Sequence, residues 1–178
     1  VVGGKVFKKA AAKDDYYQYL NKQKRIALEF GGRIDPENIE DYLGVGGFTA
    51  LRKALTEMKP REVIEEIKKS GLRGKGGGGF LTGLKWEKCA NAPGDVKYIV
   101  VNGDEGNPAS YMDRSGMEGC PAQVIEGLII AAYAIGVNKG IIYTRSDYAI
   151  AGKRLNMILE QARERGFLGD NIMGTDFS

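Results

Sequence analysis

A chain of 178 residues with 43% apolar side chains can bury one substantial core, and its 26 Lys and Arg against 23 Asp and Glu leave a net charge of only +3. Bases and acids are interspersed, so neither a polyanion-binding surface nor a nucleic-acid partner is expected. There is no histidine, and Cys89 and Cys120 lie far apart, which excludes Ser-His-Asp and Cys-His catalysis and leaves no zinc or iron–sulfur ligand set within the chain.

In chain order, Val1 to about Tyr42 is charged and weakly periodic, with Gly31, Gly32 and Pro36 as breakers. It is expected to form an N-terminal arm or helical lead-in over 1–45. The chain opens on Val1 and Val2 without an initiator Met, and Val1 to Ala12 has no apolar signal core, so a truncated, cytoplasmic chain is expected. Phe48, Leu51, Leu55 and Met58 recur at steps of three and four, which predicts a helix. A second helix is expected from Pro60, with Glu62, Glu65 and Glu66 ahead of Lys68 and Lys69 along the dipole and Gly71 as its stop. Lys59 is a poor N-cap for it.

Lys97 to Val101 reads as a short buried strand, Pro121 to Ile135 as an apolar helix stopped by Gly136, and Gly140 to Arg145 as a second strand. A long amphipathic helix follows, with Ile150, Leu155, Ile158, Leu159 and Ala162 on one face and Gly166 as its end. Small residues at Gly127 and Ala131 are expected to let the Pro121 helix approach the sheet closely. The order strand, helix, strand, helix predicts an α/β fold with a parallel sheet over 46–178. No apolar run reaches the roughly 18 residues of a membrane span.

The most informative stretch is Gly71 to Trp86. So many glycines carry a large entropic cost unless the main chain must closely approach something such as a phosphate or a flat ring. Exposed N–H groups there can face an anion, with Arg73, Lys75 and Lys85 supplying positive charge. The alternative, a flexible linker, does not account for Phe80, Leu84 and Trp86 directly after the glycines. Gly74, Gly76 and Gly79 satisfy Gly-x-Gly-x-x-Gly, but a helix rather than a strand precedes them, so this is not an ordinary Rossmann first turn. A P-loop also fails, because Leu84 follows Gly83 and Lys85 comes one place late.

A second constellation, Asn102-Gly103-Asp104-Glu105-Gly106-Asn107, stands beyond the first predicted strand. Ligands of open α/β sheets bind beyond the carboxyl ends of strands, where an amide and two carboxylates can hydrogen-bond hydroxyls or ring N–H groups. An ordinary polar turn has the same composition.

Together the two segments resemble the flavin-bearing, NADH-oxidising subunit of respiratory complex I (51 kDa type) and, more closely, its relatives in NAD(P)-linked and electron-bifurcating hydrogenases. The family pattern Gly-Arg-Gly-Gly-Ala-Gly-Phe-Pro-Thr-Gly-x-Lys-Trp is met from Gly74 to Trp86, with Lys75 for Arg, Gly78 for Ala and Leu81 for Pro. The hydrogenase-type pattern Asn-Gly-Asp-Glu-Gly-Asp-Pro-Gly is met from Asn102 to Ala109, and Met112-Asp113-Arg114 and Val124-Ile125-Glu126-Gly127 also fit.

The resemblance implies an incomplete Rossmann-like, FMN-binding domain with a helical lead-in. It implies that Gly74, Lys75, Gly76, Gly77, Gly78, Gly79, Thr82 and Gly83 line the cofactor and that Lys85 offsets negative charge. Phe80 would stack on the nicotinamide side, and Asn102, Asp104 and Glu105 would hold FMN. Asn107 stands where the family has an acid that contacts the dinucleotide. Other departures are Lys88 for an aromatic, Cys120 and Ala122 for Asp and His, and Ser146-Asp147-Tyr148-Ala149 for a Glu-Tyr-Pro run. FMN in such proteins takes a hydride from NADH (or NADPH) and passes electrons to iron–sulfur subunits of a complex in the cytoplasm or peripheral to a membrane.

The family's Gly-Glu-Glu segment, ubiquitin-like insert and 4Fe-4S cysteine cluster do not occur before Ser178. The fragment alone is therefore expected to bind FMN poorly and to be inactive. The alternative function is a redox-inactive docking module that keeps the fold.

Overall fold

The computed structural model describes residues 22–107 and 109–178. The greater part of the predicted arm, 1–21, lies outside them. From Phe30 onward that segment packs into the main core. Ile34, Ile39 and Tyr42 are buried in one cluster with Ile125, Ile129, Leu155 and Ile158. Asn38 caps the short helix α1 (Ile39–Gly44) by accepting the Glu40 N–H at 3.1 Å. Gln161, from the far end of the chain, accepts the Ile39 N–H at 2.8 Å and donates to the Glu37 carbonyl at 2.8 Å.

Helix α2 (Thr49–Glu57) follows Phe48, which takes the left-handed conformation at φ 60 and stacks on Phe167 with ring centroids 4.3 Å apart. Helix α3 (Pro60–Ser70) starts at its proline and closes at Gly71 with φ 67, as the sequence predicts. Lys59 offers no side-chain cap; the Glu62 carboxylate reaches back instead and accepts the Lys59 N–H at 2.7 Å. Helix α4 (Thr82–Asn91) has no counterpart among the predicted elements, and it packs along α3.

Strand β1 (Ile99–Gly103) lies two residues beyond its predicted position. Lys97 is drawn the other way, its ammonium donating to the Ala90 carbonyl at 2.9 Å. Helix α5 (Met112–Gly119) and the long helix α6 (Pro121–Ile135), stopped by Gly136 at φ 75, lead to strand β2 (Gly140–Thr144). The two strands pair in parallel, Ile99 opposite Gly140 and Gly103 opposite Thr144, and this α/β arrangement is the predicted one with a sheet of two strands. Glycines line the inner side: a Cβ on Gly103 would meet the Met117 side chain at 2.7 Å, and one on Gly140 would meet Leu128 at 3.3 Å. On the outer side Val100, Ile141 and Tyr143 are about half exposed.

Among the described residues helix α6 is the hub of the fold, touching every other described α-helix and both strands once α7 (Ala149–Glu164) is laid over it. The buried face of α7 is Ala151, Leu155, Ile158 and Ala162. Ile150, predicted on that face, is exposed, since one residue turns the helix by about 100°. Gly127 also departs from its predicted packing role: a Cβ there would meet nothing of the described residues within 4 Å, and it lines a surface groove. No helix among the described residues is long and apolar enough to cross a membrane.

One buried polar group joins the lead-in to the hub. The Glu126 carboxylate of α6 accepts the Tyr42 hydroxyl at 2.6 Å, the Phe48 N–H at 2.9 Å and the Leu51 N–H at 3.0 Å, so it caps α2 from another helix. Burial and this neighbouring carboxylate push the Tyr42 phenol well above its ordinary value of 10.0. The folded protein thus holds the phenolic proton more tightly than the unfolded chain. The stability involved is complete below pH ~10 and is lost as pH rises above it. Tyr42→Phe is expected to flatten the alkaline limb of stability against pH, measured by denaturant midpoints from pH 8 to 11.

Candidate functional site

The glycine-rich segment folds as a clasped hairpin. Gly74 N–H donates to the Phe80 carbonyl at 2.9 Å, Thr82 N–H donates to the Leu72 carbonyl at 2.9 Å, and Arg73 bridges Leu81 in antiparallel fashion. The Arg73 guanidinium closes the clasp by donating to the Gly79 carbonyl at 2.9 Å. Only the tip between these bonds needs unusual backbone: Gly77 has φ 101 and Gly79 φ 59, where a Cβ would be strained. These contacts replace the linker alternative with a fixed turn.

The tip is bare. A Cβ built on Gly76, Gly77, Gly78 or Gly79 meets no heavy atom of the described residues within 4 Å, so these glycines are not used for packing against them. Their main chain faces space that a phosphate or ring could occupy, beside exposed Lys75. Gly83 is different, since a Cβ there would lie 2.6 Å from the Lys68 nitrogen and 2.8 Å from its Cα. Of the residues predicted to line a cofactor, Gly83 is thereby given a helix-packing role between α4 and α3.

The base of the hairpin opens into a groove of about 800 Å³ between α4, α6 and β1. Gly74, Phe80, Thr82 and Lys85 face it together, joined by Trp86, Tyr98, Val100 and the α6 residues Val124 and Gly127. Its lining is mainly apolar, as befits a cofactor ring, and its volume is within the usual range for small-molecule sites. Phe80 is half exposed, with the Lys88 ammonium 5.4 Å from its ring centroid. Cys89 is exposed on the groove wall, whereas Cys120 is buried and its thiol pushed up by that burial. Two further clefts, of about 710 and 690 Å³, are lined by none of the predicted site residues.

Asn102, Asp104, Glu105 and Asn107 are not among the lining residues of that groove. They begin directly after Val101, which does line it, at the carboxyl end of β1. Each is held by its own bonds. Asn102 accepts the Asp104 N–H at 2.9 Å, and Asn107 accepts the Ala109 N–H at 3.0 Å. The Glu105 carboxylate accepts the Met112 N–H at 2.8 Å and the Arg114 N–H at 3.1 Å, capping α5. Beside it, burial and the Glu105 charge raise the Asp113 carboxyl.

Arg145, just past β2, stands 3.8 Å from Asp104 and is held by Asp147 through bonds of 2.8 and 3.1 Å. The guanidinium holds the Asp147 carboxyl below its usual range. No local pattern in the sequence signals this ion cluster or the Tyr148 bond to the Glu105 carbonyl at 2.9 Å, because the members are separated by some forty positions. Trp86 is legible beside the glycines; Tyr98 and Val100 line the groove from the start of β1, a placement that no local pattern in the sequence gives.

The profile of one protein family, described as the Nuo51 FMN-binding domain, matches residues 67–175. The chain is 49% identical to the NADP-reducing hydrogenase subunit HndC of Solidesulfovibrio fructosivorans, over 88% of this chain and 31% of that protein. It is 39% identical to an NADH-quinone oxidoreductase subunit of Escherichia coli (strain K12), over 80% of this chain and 32% of the relative. Among solved structures, an NAD+-reducing [NiFe]-hydrogenase in the air-oxidized state aligns with a TM-score of 0.59 at 30% identity, covering 80% of this chain and 22% of that one. The chain thus spans about a third of the length of the curated relatives it matches.

Proposed function

The chain belongs to the Nuo51 FMN-binding family, and from that membership we propose that it forms the glycine-hairpin side of an FMN site in an NAD(P)H-oxidising or NAD(P)-reducing subunit of a larger redox complex. The observation that carries this reading is the bare hairpin tip, whose base shares a groove with Phe80, Thr82 and Lys85 at the edge of the strand leading into Asn102 and Asp104.

The residues fit the cofactor in charge and shape. Main-chain N–H groups at Gly76 to Gly79, with Lys75 and Lys85, suit the phosphate and the electron-rich edge of a flavin. Phe80, Trp86 and Val100 supply apolar surface for a ring. Asn102 and Asp104 offer acceptors to hydroxyls or ring N–H, and Asn107 stands on the same turn for the dinucleotide. FMN, when bound, supplies the conversion between hydride transfer and single-electron transfer. The chain's contribution is orientation, charge compensation and exclusion of water from the groove. Iron–sulfur subunits are the proposed electron partners, and the proposed setting is cytoplasmic or peripheral to a membrane complex.

Titration of the 178-residue chain with FMN, followed by amide NMR, tests this directly and tolerates weak affinity. Shifts are expected in 73–81 and in 102–107 together. A titration that moves neither segment, or moves only residues remote from the groove, overturns the flavin reading.

A further inference from the structure

We propose that Tyr148 is a positioning residue of the flavin site, fixing the Asp104–Gly106 turn by donating its hydroxyl to the Glu105 carbonyl. This rests on the FMN reading above. Its physical basis is that Glu105 is held from two sides. Its carboxylate is bound to the Met112 and Arg114 N–H groups at the start of α5, and its carbonyl is bound to Tyr148 at 2.9 Å. The Glu105 side chain is therefore committed to a helix N-terminus. What the turn offers a ligand is the Asp104 carboxylate and the main chain, both of which depend on the conformation of the turn.

Tyr148 is well built for that task. It is 8% exposed and opens α7, its own carbonyl accepting the Gly152 N–H at 3.0 Å. Two guanidiniums approach its ring, with the Arg114 Cζ 5.3 Å and the Arg145 Cζ 5.7 Å from the centroid. Arg145 in turn is anchored on Asp147 and stands 3.8 Å from Asp104. The Arg145–Asp104 pair is over a third exposed on both sides and adds little by itself. The hydroxyl-to-carbonyl bond, made by a buried residue, is the contact that ties α7 to the carboxyl end of β1.

Tyr148→Phe removes that bond and keeps the ring and both cation contacts. In the 178-residue chain, the denaturant midpoint is expected to change little, while amide exchange of residues 104–106 accelerates. FMN affinity, read from NMR shifts of the 73–81 amides, is expected to fall about fivefold, the scale of one lost hydrogen bond. Unchanged exchange in 104–106, or equal FMN affinity in Tyr148→Phe and the parent, overturns the proposal while leaving the flavin reading intact. A parent chain that gives no FMN response in either segment overturns the flavin reading itself. A global loss of stability in Tyr148→Phe, with exchange rising throughout the chain, assigns the hydroxyl a purely structural role and also overturns the proposal.

Discussion

Glu126→Ala is expected to destabilise the protein by about 4 kcal/mol, a large fraction of the folding free energy of a domain of this size. The carboxylate sits 6% exposed at the centre of the molecule, and its removal leaves the Tyr42 hydroxyl and the Phe48 and Leu51 N–H groups buried without an acceptor. Each abandoned donor costs about 1 to 3 kcal/mol, with partial relief as the site relaxes. Glu126→Gln keeps the volume but turns one acceptor oxygen into an NH₂ facing N–H or O–H donors, so a loss of about 2 kcal/mol is expected. Tyr42→Phe alone removes only one donor and is expected to cost about 1 kcal/mol. The double change Tyr42→Phe with Glu126→Ala should cost less than the sum of the two, because the phenol is then no longer stranded. Urea titrations with unchanged slopes measure these differences. A Glu126→Ala protein within about 1 kcal/mol of the parent would show that α2 does not depend on the cap.

That cap also marks the limit of what the sequence makes legible. Where a helix carries its own punctuation, the boundaries follow from residues alone: Pro60 and Gly71 bound α3, and Pro121 and Gly136 bound α6. Where the cap comes from elsewhere, the signal is silent. Helix α5 contains Gly116 and is followed by Cys120, with no capping side chain at Tyr111; its N-terminal N–H groups are met by Glu105, seven and nine residues upstream. Helix α4 begins after Leu81, again without a side-chain cap, and its second residue is glycine. Neither is therefore readable as a helix from its own residues. The strand at Lys97 to Val101 is announced by its apolar run, but its register is set by pairing with 140–144, which no local pattern encodes. In the site, the density of glycine announces the hairpin, and neither the Arg73 clasp nor the Tyr148 tie can be read from it.

Gly83→Ala and Gly76→Ala are expected to separate two uses of glycine that look alike in the sequence. Gly83 is buried where α4 crosses α3, and an added methyl would stand 2.5 Å from the Lys68 Cγ, 2.6 Å from its backbone nitrogen and 2.8 Å from its Cα. A flexible side chain can swing aside, but the backbone of a helix cannot, and Lys68 is further held by Glu87 at 2.9 Å across the same seam. The two helices must separate, at an expected cost of about 2 to 3 kcal/mol, read as a lowered denaturant midpoint. Among the described residues Gly76 has open space around it, and its backbone is not left-handed, so alanine there is expected to change stability by no more than about 0.5 kcal/mol. If the hairpin tip receives FMN, the same methyl stands in the cofactor's place, and affinity is expected to fall about tenfold, roughly 1.4 kcal/mol. The two substitutions thus fail in opposite assays. A stable Gly83→Ala protein would contradict the close helix crossing, and a Gly76→Ala protein that binds FMN as the parent does would remove the tip from the site.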